Sequence, residues 1–178
     1  MLDKALQAVG LQKPPALEQL GKLSQMPPLP LHTAVTLRLH AGAVLNTDAA
    51  GRALTVVTRI YKLRAIDTFL QAPYEAFQGE LNAPTPFAKD VVDVREVVLA
   101  PGQRAEGIEK LGPDSQAIAV VALYRNPAPG RWRFAFETKA AGVSGLTLGL
   151  HGCAMSVAQG QPIDTAPELL RVAGVRCQ

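Results

Sequence analysis

The 178-residue chain lacks the features that mark several large classes of protein. It contains no apolar run long enough to span a bilayer, for which about 20 residues would be needed. The N-terminus, Met-Leu-Asp-Lys-Ala-Leu, has no basic start followed by an apolar core and is therefore not a secretory signal peptide. We expect either a cytosolic protein or a mature chain whose leader has been removed.

Histidine and cysteine, which are common zinc ligands, are scarce. His32, His40 and His151 are scattered, and only His151 and Cys153 lie close enough in sequence to share a metal ion. A zinc site needs a second pair of such ligands, and the sequence does not supply one. We therefore predict no metal site and no cofactor.

Cys153 and Cys177 are the only cysteines. A bond between them would close a loop of about 25 residues and stabilise the fold by roughly 3–4 kcal/mol on the chain-entropy model. Such a bond suits an oxidising compartment, whereas two unrelated buried thiols would suit a cytosolic protein. The disulfide is the prediction, and the two free thiols are the alternative.

Signatures of common catalytic sites are also missing. The chain has no phosphate-binding loop of the G-x-x-x-x-G-K-[ST] type. Gly142–Gly145 lacks the full G-x-S-x-G pattern and a strand-to-helix setting, so Ser144 is interpreted as a turn residue. Asp90 and Asp93, like Glu106 and Glu109, are three residues apart, which places them on opposite faces of a strand as solvated surface. The sequence therefore predicts a protein that is not an enzyme.

The net charge of +3 is small but unevenly distributed along the chain. Residues 1–65 hold eight Lys/Arg and three Asp/Glu, residues 66–116 hold four and nine, and residues 117–178 hold six and three. A polarised surface of this kind suits docking to another protein. No basic cluster is interleaved with aromatic residues, so nucleic-acid binding is not predicted.

The sequence does contain a series of short strand patterns. Apolar and polar residues alternate in Thr33–Ala43, and Leu54–Leu63 is rich in β-branched residues. The polar segment Asn46–Arg52 between them contains Asn, Asp and Gly, which tolerate the backbone of a tight turn. These features predict a β-hairpin with an exposed loop.

Six further strands are predicted: Asp90–Leu99, Glu106–Leu111, Gln116–Tyr124, Trp132–Phe136, Leu146–Val157 and Leu169–Cys177. Before them, four apolar residues recur at helical spacing and predict two short helical turns that plug the sheet: Phe69, Leu70, Tyr74 and Phe77. Eight strands with turn signals between them predict an all-β sandwich, with these helices inserted after strand two. We expect one sandwich domain, 32–178, preceded by a helical and proline-rich extension, 1–31.

The first loop and the strand after it begin an ordered series of motifs. The series comprises Leu45–Arg52, Val56–Leu63, Phe69, Tyr74–Phe77, Leu99–Gln103, Val120–Arg125 and Trp132–Arg133. In this order the motifs resemble the TssJ family, also called SciN or VasD, which are outer-membrane lipoproteins of type VI secretion systems. One departure is Asn46-Thr47-Asp48, where the family commonly has Asn-Pro-Asp.

The resemblance implies a transthyretin-like β-sandwich on the periplasmic face of the outer membrane of a Gram-negative bacterium, monomeric when isolated. It also implies a non-catalytic role, in which the protein anchors the membrane core complex by binding the C-terminal periplasmic domain of TssM. The family is held in the membrane by a lipid on the cysteine that begins the mature chain. Neither Cys153 nor Cys177 can be that residue, so we expect the signal peptide and the acylated cysteine to have been removed.

In the family the loop between strands one and two contacts TssM. The resemblance carries this role to Asn46, Thr47, Asp48, Gly51 and Arg52. Asp48 and Arg52 could make charged contacts, and Gly51 allows the backbone to approach a partner closely. The alternative for Asn46 and Asp48 is hydrogen bonding within the turn, without a partner.

Arg59 and Trp132 are interpreted as structural residues that pack on neighbouring side chains. Two other functions remain open. A carrier of a small apolar ligand is suggested by the aromatic strand Trp132–Phe136 and would require a closed apolar cavity between the sheets. A hydrolase would require serine, histidine and acidic side chains that converge on one point.

Overall fold

A computed structural model describes residues Leu31–Gln178. The strands are β1 (Thr33–Ala41), β2 (Val56–Leu63), β3 (Val91–Leu99), β4 (Arg104–Leu111), β5 (Ala117–Leu123), β6 (Arg133–Glu137), β7 (Leu146–Leu150) and β8 (Met155–Gln159). The helices are α1 (Asp67–Gln71), α2 (Thr138–Ser144) and three 3₁₀ helices at Tyr74–Phe77, Ala88–Asp90 and Pro167–Leu170. Within these described residues, no helix has the length and apolarity to cross a membrane. The predicted extension 1–31 lies outside them, apart from Leu31.

The strands form two four-stranded sheets, with the orders β4-β1-β7-β8 and β3-β2-β5-β6. Pairing is antiparallel except between β1 and β7, which run parallel. The alternating residues Val35, Leu37 and Leu39 of β1 are buried, as the period of two requires, and belong to the core between the sheets. The predicted all-β, two-sheet sandwich is confirmed.

The predicted hairpin between the first two strands is wrong. β1 lies in one sheet, between β4 and β7, whereas β2 lies in the other, between β3 and β5. Residues 42–55, which we call the crossing loop, therefore pass over one end of the sandwich. Leu45 is fully buried within this loop, and its carbonyl accepts a hydrogen bond from Leu54 N–H at 2.9 Å. The strands themselves were predictable, but pairing them required knowledge of what each one packs against.

The C-terminal part of the fold differs from the prediction in two places. Leu146–Val157 is not one bent strand but β7 and β8, which pair with each other across a turn at residues 151–154. Leu169–Cys177 is not a strand, because it consists of the end of a 3₁₀ helix followed by irregular backbone. Its apolar residues, including Val172 and Val175, are spaced by three, which does not fit the period of two that a strand needs.

Ser144 lies in α2, a helix that the sequence patterns did not predict. Its hydroxyl donates to backbone carbonyls of Ala140 at 3.2 Å and Gly145 at 2.8 Å. The helix ends at Gly145, whose φ of 69° lies in the left-handed region that glycine adopts without steric cost. Ser144 is therefore the last residue of a capped helix, and its hydroxyl is engaged with the backbone.

Residues 64–90, which we call the insert, cover the outer face of the second sheet. Phe69, Phe77 and Phe87 are buried there against Tyr61 of β2, and the rings of Phe77 and Phe87 stack at 4.7 Å. Tyr74 is half-buried and donates its hydroxyl to the carbonyl of Tyr124 at 2.5 Å. The prediction that these aromatic residues plug the sheet is confirmed, and they form a second apolar cluster outside the sandwich core.

Glu109 is not the solvated residue that its spacing predicted. It is 4% exposed, faces inward from β4, and accepts hydrogen bonds from the guanidinium of Arg95 on β3. The ammonium of Lys62 lies 3.9 Å from its second oxygen. Since β3 and β4 are edge strands of different sheets, this ion pair between the buried Glu109 and the exposed Arg95 joins the two sheets along one side of the sandwich.

Candidate functional site

Asn46 is buried at the start of the crossing-loop turn, with 6% of its surface exposed. Its Nδ2 donates to the carbonyl of Thr55 at 2.7 Å, and its Oδ1 accepts from the backbone N–H of Arg125 at 2.8 Å. Its φ of 42° lies in the left-handed region, which asparagine tolerates better than most residues. Asn46 therefore ties the crossing loop to the segment after β5, through bonds that leave the turn rather than the bonds within the turn that the alternative describes.

Thr47 stands where the resemblance described above leads to the expectation of proline. Its N–H donates to the carbonyl of Gly152 in the β7–β8 turn at 3.0 Å, a bond that proline, which lacks the N–H, could not make. In this chain the crossing loop is therefore fixed at this position by a hydrogen bond to the neighbouring turn.

Asp48 organises the tip of the loop. Its Oδ1 accepts from the backbone N–H groups of Ala50 at 2.9 Å and Arg52 at 3.0 Å, and its Oδ2 accepts from Arg52 Nε at 2.8 Å. Hydrogen bonds to the ionised carboxylate, chiefly from the Arg52 backbone, lower the pKa of Asp48 below its usual value. Gly51 has a φ of 77°, and a Cβ added there would meet no atom within 4 Å, so its conformation rather than lack of space favours glycine.

The loop exposes a different set of side chains from those that hold it together. The Arg52 side chain is 79% exposed, whereas that of Asp48 is 12% exposed. Ala49 and Ala50 are exposed as well. Val44, which was not part of the predicted turn, is 64% exposed. The five predicted residues are thus brought together, but Asn46 presents almost no surface to a partner.

Sequence reasoning missed the basic residues around the loop. Arg125 is exposed and close enough to Asp48 to help lower the pKa of that carboxyl. Arg176, also exposed, lines a cleft with Asn126 at the same end of the sandwich. The only signal in the sequence was the excess of basic residues in 1–65 and 117–178, which does not show that they meet.

The structure joins Cys153 and Cys177 by a disulfide beside the crossing loop. A Cβ added at Gly152 would lie 3.0 Å from Cys177 Sγ and 3.5 Å from Thr47 Oγ1. The contact with Cys177 Sγ is tight, so a side chain at Gly152 would require the disulfide to shift by a few tenths of an ångström. The crossing loop, the β7–β8 turn and the C-terminal residues 171–178, which we call the tail, are therefore packed together at one end of the molecule.

Arg59 and Trp132 hold the insert in place, as the structural interpretation predicted. The buried Arg59 guanidinium donates to the carbonyls of Phe77 at 2.7 Å and Gly79 at 2.6 Å, and its Nε donates to Glu96 at 2.8 Å. The Trp132 ring lies against Phe77, with centroids 5.2 Å apart. Neither side chain belongs to the exposed surface of the loop.

The arrangement of side chains does not favour the two other functions. A cleft of about 170 Å³ reaches between the sheets beside Ile60 and Val97, which is smaller than the roughly 300–1,000 Å³ of typical ligand pockets. His151 Nε2 lies 2.9 Å from Ser156 Oγ, but within the described residues no carboxylate is hydrogen-bonded to that ring. In the same part of the chain, no group of three or more His, Cys, Asp or Glu is arranged to hold a metal ion.

Comparisons with known proteins agree with this architecture. Residues 33–153 match the family model described as type VI secretion lipoprotein, VasD, EvfM, TssJ, VC_A0113. Comparison with curated protein sequences gives no match.

Among solved structures, the crystal structure of the T6SS lipoprotein TssJ1 from Pseudomonas aeruginosa is similar, with 27% identity and a TM-score of 0.64 over 74% of this chain and 98% of that chain. A chain described as T6SS protein TssM C-terminal domain (869–1107) from EAEC shares the fold, with 23% identity and a TM-score of 0.60 over 71% and 98% of the two chains. A chain of a type VI membrane complex also shares the fold, with 24% identity and a TM-score of 0.64 over 71% of this chain and 98% of that chain.

The family match covers more than half of the chain and includes both the crossing loop and the insert. The two four-stranded sheets and the few short helices are the architecture shared with the solved TssJ1 structure. The chain therefore belongs to the family of type VI secretion lipoproteins that includes TssJ and VasD.

Proposed function

We propose that this lipoprotein binds the C-terminal periplasmic domain of TssM through the crossing loop, and that it thereby anchors the type VI membrane core complex to the outer membrane. The observation that carries the proposal is a loop whose tip is exposed but internally fixed. Asn46 and Asp48 hold the backbone, so Arg52 and the exposed alanines are presented without a large loss of conformational entropy on binding.

The comparisons support the same partner. One solved chain with this fold is described as the TssM C-terminal domain, and another belongs to a type VI membrane complex. These descriptions concern those proteins; TssM is the partner to test first because the resemblance to the TssJ family implies it. The role we propose is non-catalytic: the protein acts as a tether.

The direct test is the affinity of the purified protein for the purified C-terminal periplasmic domain of TssM, measured by calorimetry. Replacing Asn46–Arg52 with a Gly/Ser loop should weaken binding at least tenfold, because both the presented side chains and the fixed backbone are lost. Arg52→Glu, which retains Asn46 and Asp48, should weaken binding by a smaller factor.

Lys139→Glu is the matched control for Arg52→Glu, because Lys139 is exposed on α2 at the opposite end of the sheets. Its affinity should equal that of the unmodified protein. Unchanged affinity after the Gly/Ser replacement would exclude the loop as the docking surface. A complete lack of binding by the unmodified protein would exclude TssM as the partner.

The proposed location is the periplasmic face of the outer membrane, where an oxidising environment suits the Cys153–Cys177 disulfide. Protein purified without reductant should contain no titratable thiol, and it should elute as a monomer in light-scattering chromatography. Density-gradient separation of membranes from cells that express the full-length gene should place the protein in the outer-membrane fraction. Recovery in the cytosol, or two free thiols, would contradict this location.

A further inference from the structure

An apolar groove lies directly beside the crossing loop. Its volume is about 460 Å³, and its walls are formed mainly by Val44 from the loop, by Val172 and Val175 from the tail, and by the Cys153–Cys177 disulfide. We call it the valine groove. Val44 is 64% exposed, so the groove is open to solvent next to the tip that carries Arg52. A groove of this size can accept one or two apolar side chains.

The segments that meet at this end of the sandwich are strongly basic. The crossing loop, the segment 124–131, the β7–β8 turn and the tail carry one acidic residue, Asp48, and five arginines, which are Arg52, Arg125, Arg131, Arg171 and Arg176. Asp48 is already paired with Arg52. The surroundings of the groove therefore favour a partner surface that carries carboxylates.

The tail is held by hydrogen bonds, by the disulfide and by packing of Val172 and Val175 against Ala128, Cys153 and Ala154. Arg131 donates from Nε to the carbonyl of Arg171 at 3.2 Å, and Asn126 donates from Nδ2 to the carbonyl of Gln178 at 3.3 Å. The disulfide adds the covalent link to Cys153. Residues 154–178 lie beyond the segment that matches the family model, so the tail wall of the groove is not part of the matched region.

We infer that the valine groove is the second half of the docking surface, and that it takes an apolar side chain flanked by acidic residues on the C-terminal periplasmic domain of TssM. This inference rests on the proposed function. The crossing loop supplies one wall, the tail supplies the other, and the disulfide holds the two walls together. Arg176, next to Cys177, and Arg52, on the loop that carries Val44, attract the acidic residues, while the valines bury the apolar side chain.

The test uses the oxidised protein and the purified TssM domain, with variants on each wall. Val44→Asp and Val175→Asp should each weaken binding about tenfold, because each places a carboxylate in an apolar contact that faces an acidic partner. Ile108→Asp is the matched control for Val44→Asp, since Ile108 is 65% exposed on β4, away from the groove. It should bind within about twofold of the unmodified protein.

Charge and the disulfide are tested separately. Arg176→Glu should weaken binding severalfold and reduce its dependence on salt, whereas Lys139→Glu should change neither. The double variant Cys153→Ser/Cys177→Ser should bind about tenfold more weakly while circular dichroism still shows the folded sandwich, because the tail wall is released.

The outcomes separate this inference from the proposed function. If the unmodified protein does not bind the TssM domain, the proposed function fails, and the inference fails with it. If the Gly/Ser loop replacement weakens binding but the variants at Val44, Val175, Arg176 and the disulfide do not, the docking loop stands and the groove is excluded. Loss of binding in the groove variants but not in their controls supports the groove.

Discussion

The insert and the crossing loop are both irregular segments that join strands, but the insert buries its large side chains and the crossing loop exposes them. In the insert, Phe69, Phe77 and Phe87 point inward and are fully buried against the second sheet. In the crossing loop Leu45 alone is a fully buried apolar anchor, and Val44 and Arg52 point outward. The insert therefore stabilises the fold, whereas the crossing loop exposes side chains to solvent.

Polar side chains fix the backbone in both segments. In the insert, Arg59 and Arg133 reach from the strands and donate to carbonyls at the ends of the short helices. In the crossing loop, Asn46 and Asp48 belong to the loop itself and bond to neighbouring backbone groups. Either arrangement satisfies backbone groups that have no partner in a regular element. Only the second leaves the tip free to contact another protein.

The largest expected effect comes from breaking the aromatic cluster of the insert. Phe77→Ala should lower the free energy of unfolding by about 3–5 kcal/mol, because it removes a fully buried ring and leaves a cavity. Urea denaturation measures this loss. The folded fraction should retain its affinity for the TssM domain, since the ring is not part of the loop. A loss below about 1 kcal/mol would contradict the structural role of the insert.

Arg59→Ala tests the arginine anchor. It should lower the free energy of unfolding by about 2–3 kcal/mol, because two backbone carbonyls and Glu96 lose their donor. Arg52→Ala is the control with an exposed side chain and should change the free energy of unfolding by less than about 0.5 kcal/mol. Equal losses in the two variants would show that the insert is not held by Arg59.

Asn46→Ala should affect both stability and binding, unlike the variants of the insert, which should affect stability alone. Removing its two hydrogen bonds should cost about 1–3 kcal/mol of unfolding free energy, since Thr55 O and Arg125 N–H lose their partner. Asn46→Asp keeps the acceptor for Arg125 but places a buried carboxylate oxygen against the Thr55 carbonyl, so its loss should be at least as large. Thermal unfolding and calorimetric titration with the TssM domain measure the two effects. If stability falls but affinity is unchanged, the loop backbone does not need this anchor for binding.

The smallest expected effect is the pH dependence of the loop tip. The pKa of Asp48 is lowered in the folded protein, so its stabilising contribution is present above the unfolded value of about 3.9 and is lost as the pH falls through the lower folded value. Asp48→Asn should therefore be less stable than the unmodified protein at pH 7, and the difference should disappear in strong acid. A difference that is independent of pH would show that the charge of Asp48 does not hold the turn.

Many elements could be predicted because local patterns determine them. The alternation in β1 and the helical spacing of Phe69 and Phe77 both reflect the face that each element buries. The missed helix α2 also had a local signal, because Lys139, Ala140 and Ala141 favour a helix that Gly145 then ends. Leu169–Cys177 is rich in apolar residues, but their spacing of three does not fit the period of two that a strand needs, so this segment is not a strand.

The sequence by itself determined the first six strands, the aromatic plugs and the ordered motifs that the family shares. Tertiary structure decided which sheet each strand joined, because the residue patterns of β1 and β2 do not specify which strands they pair with. It also decided that Glu109 is buried and paired with the exposed Arg95, since that pair forms between edge strands of different sheets. The valine groove forms because the tail lies beside the crossing loop, from which it is distant in sequence, and the disulfide and the packing of the tail valines hold it there.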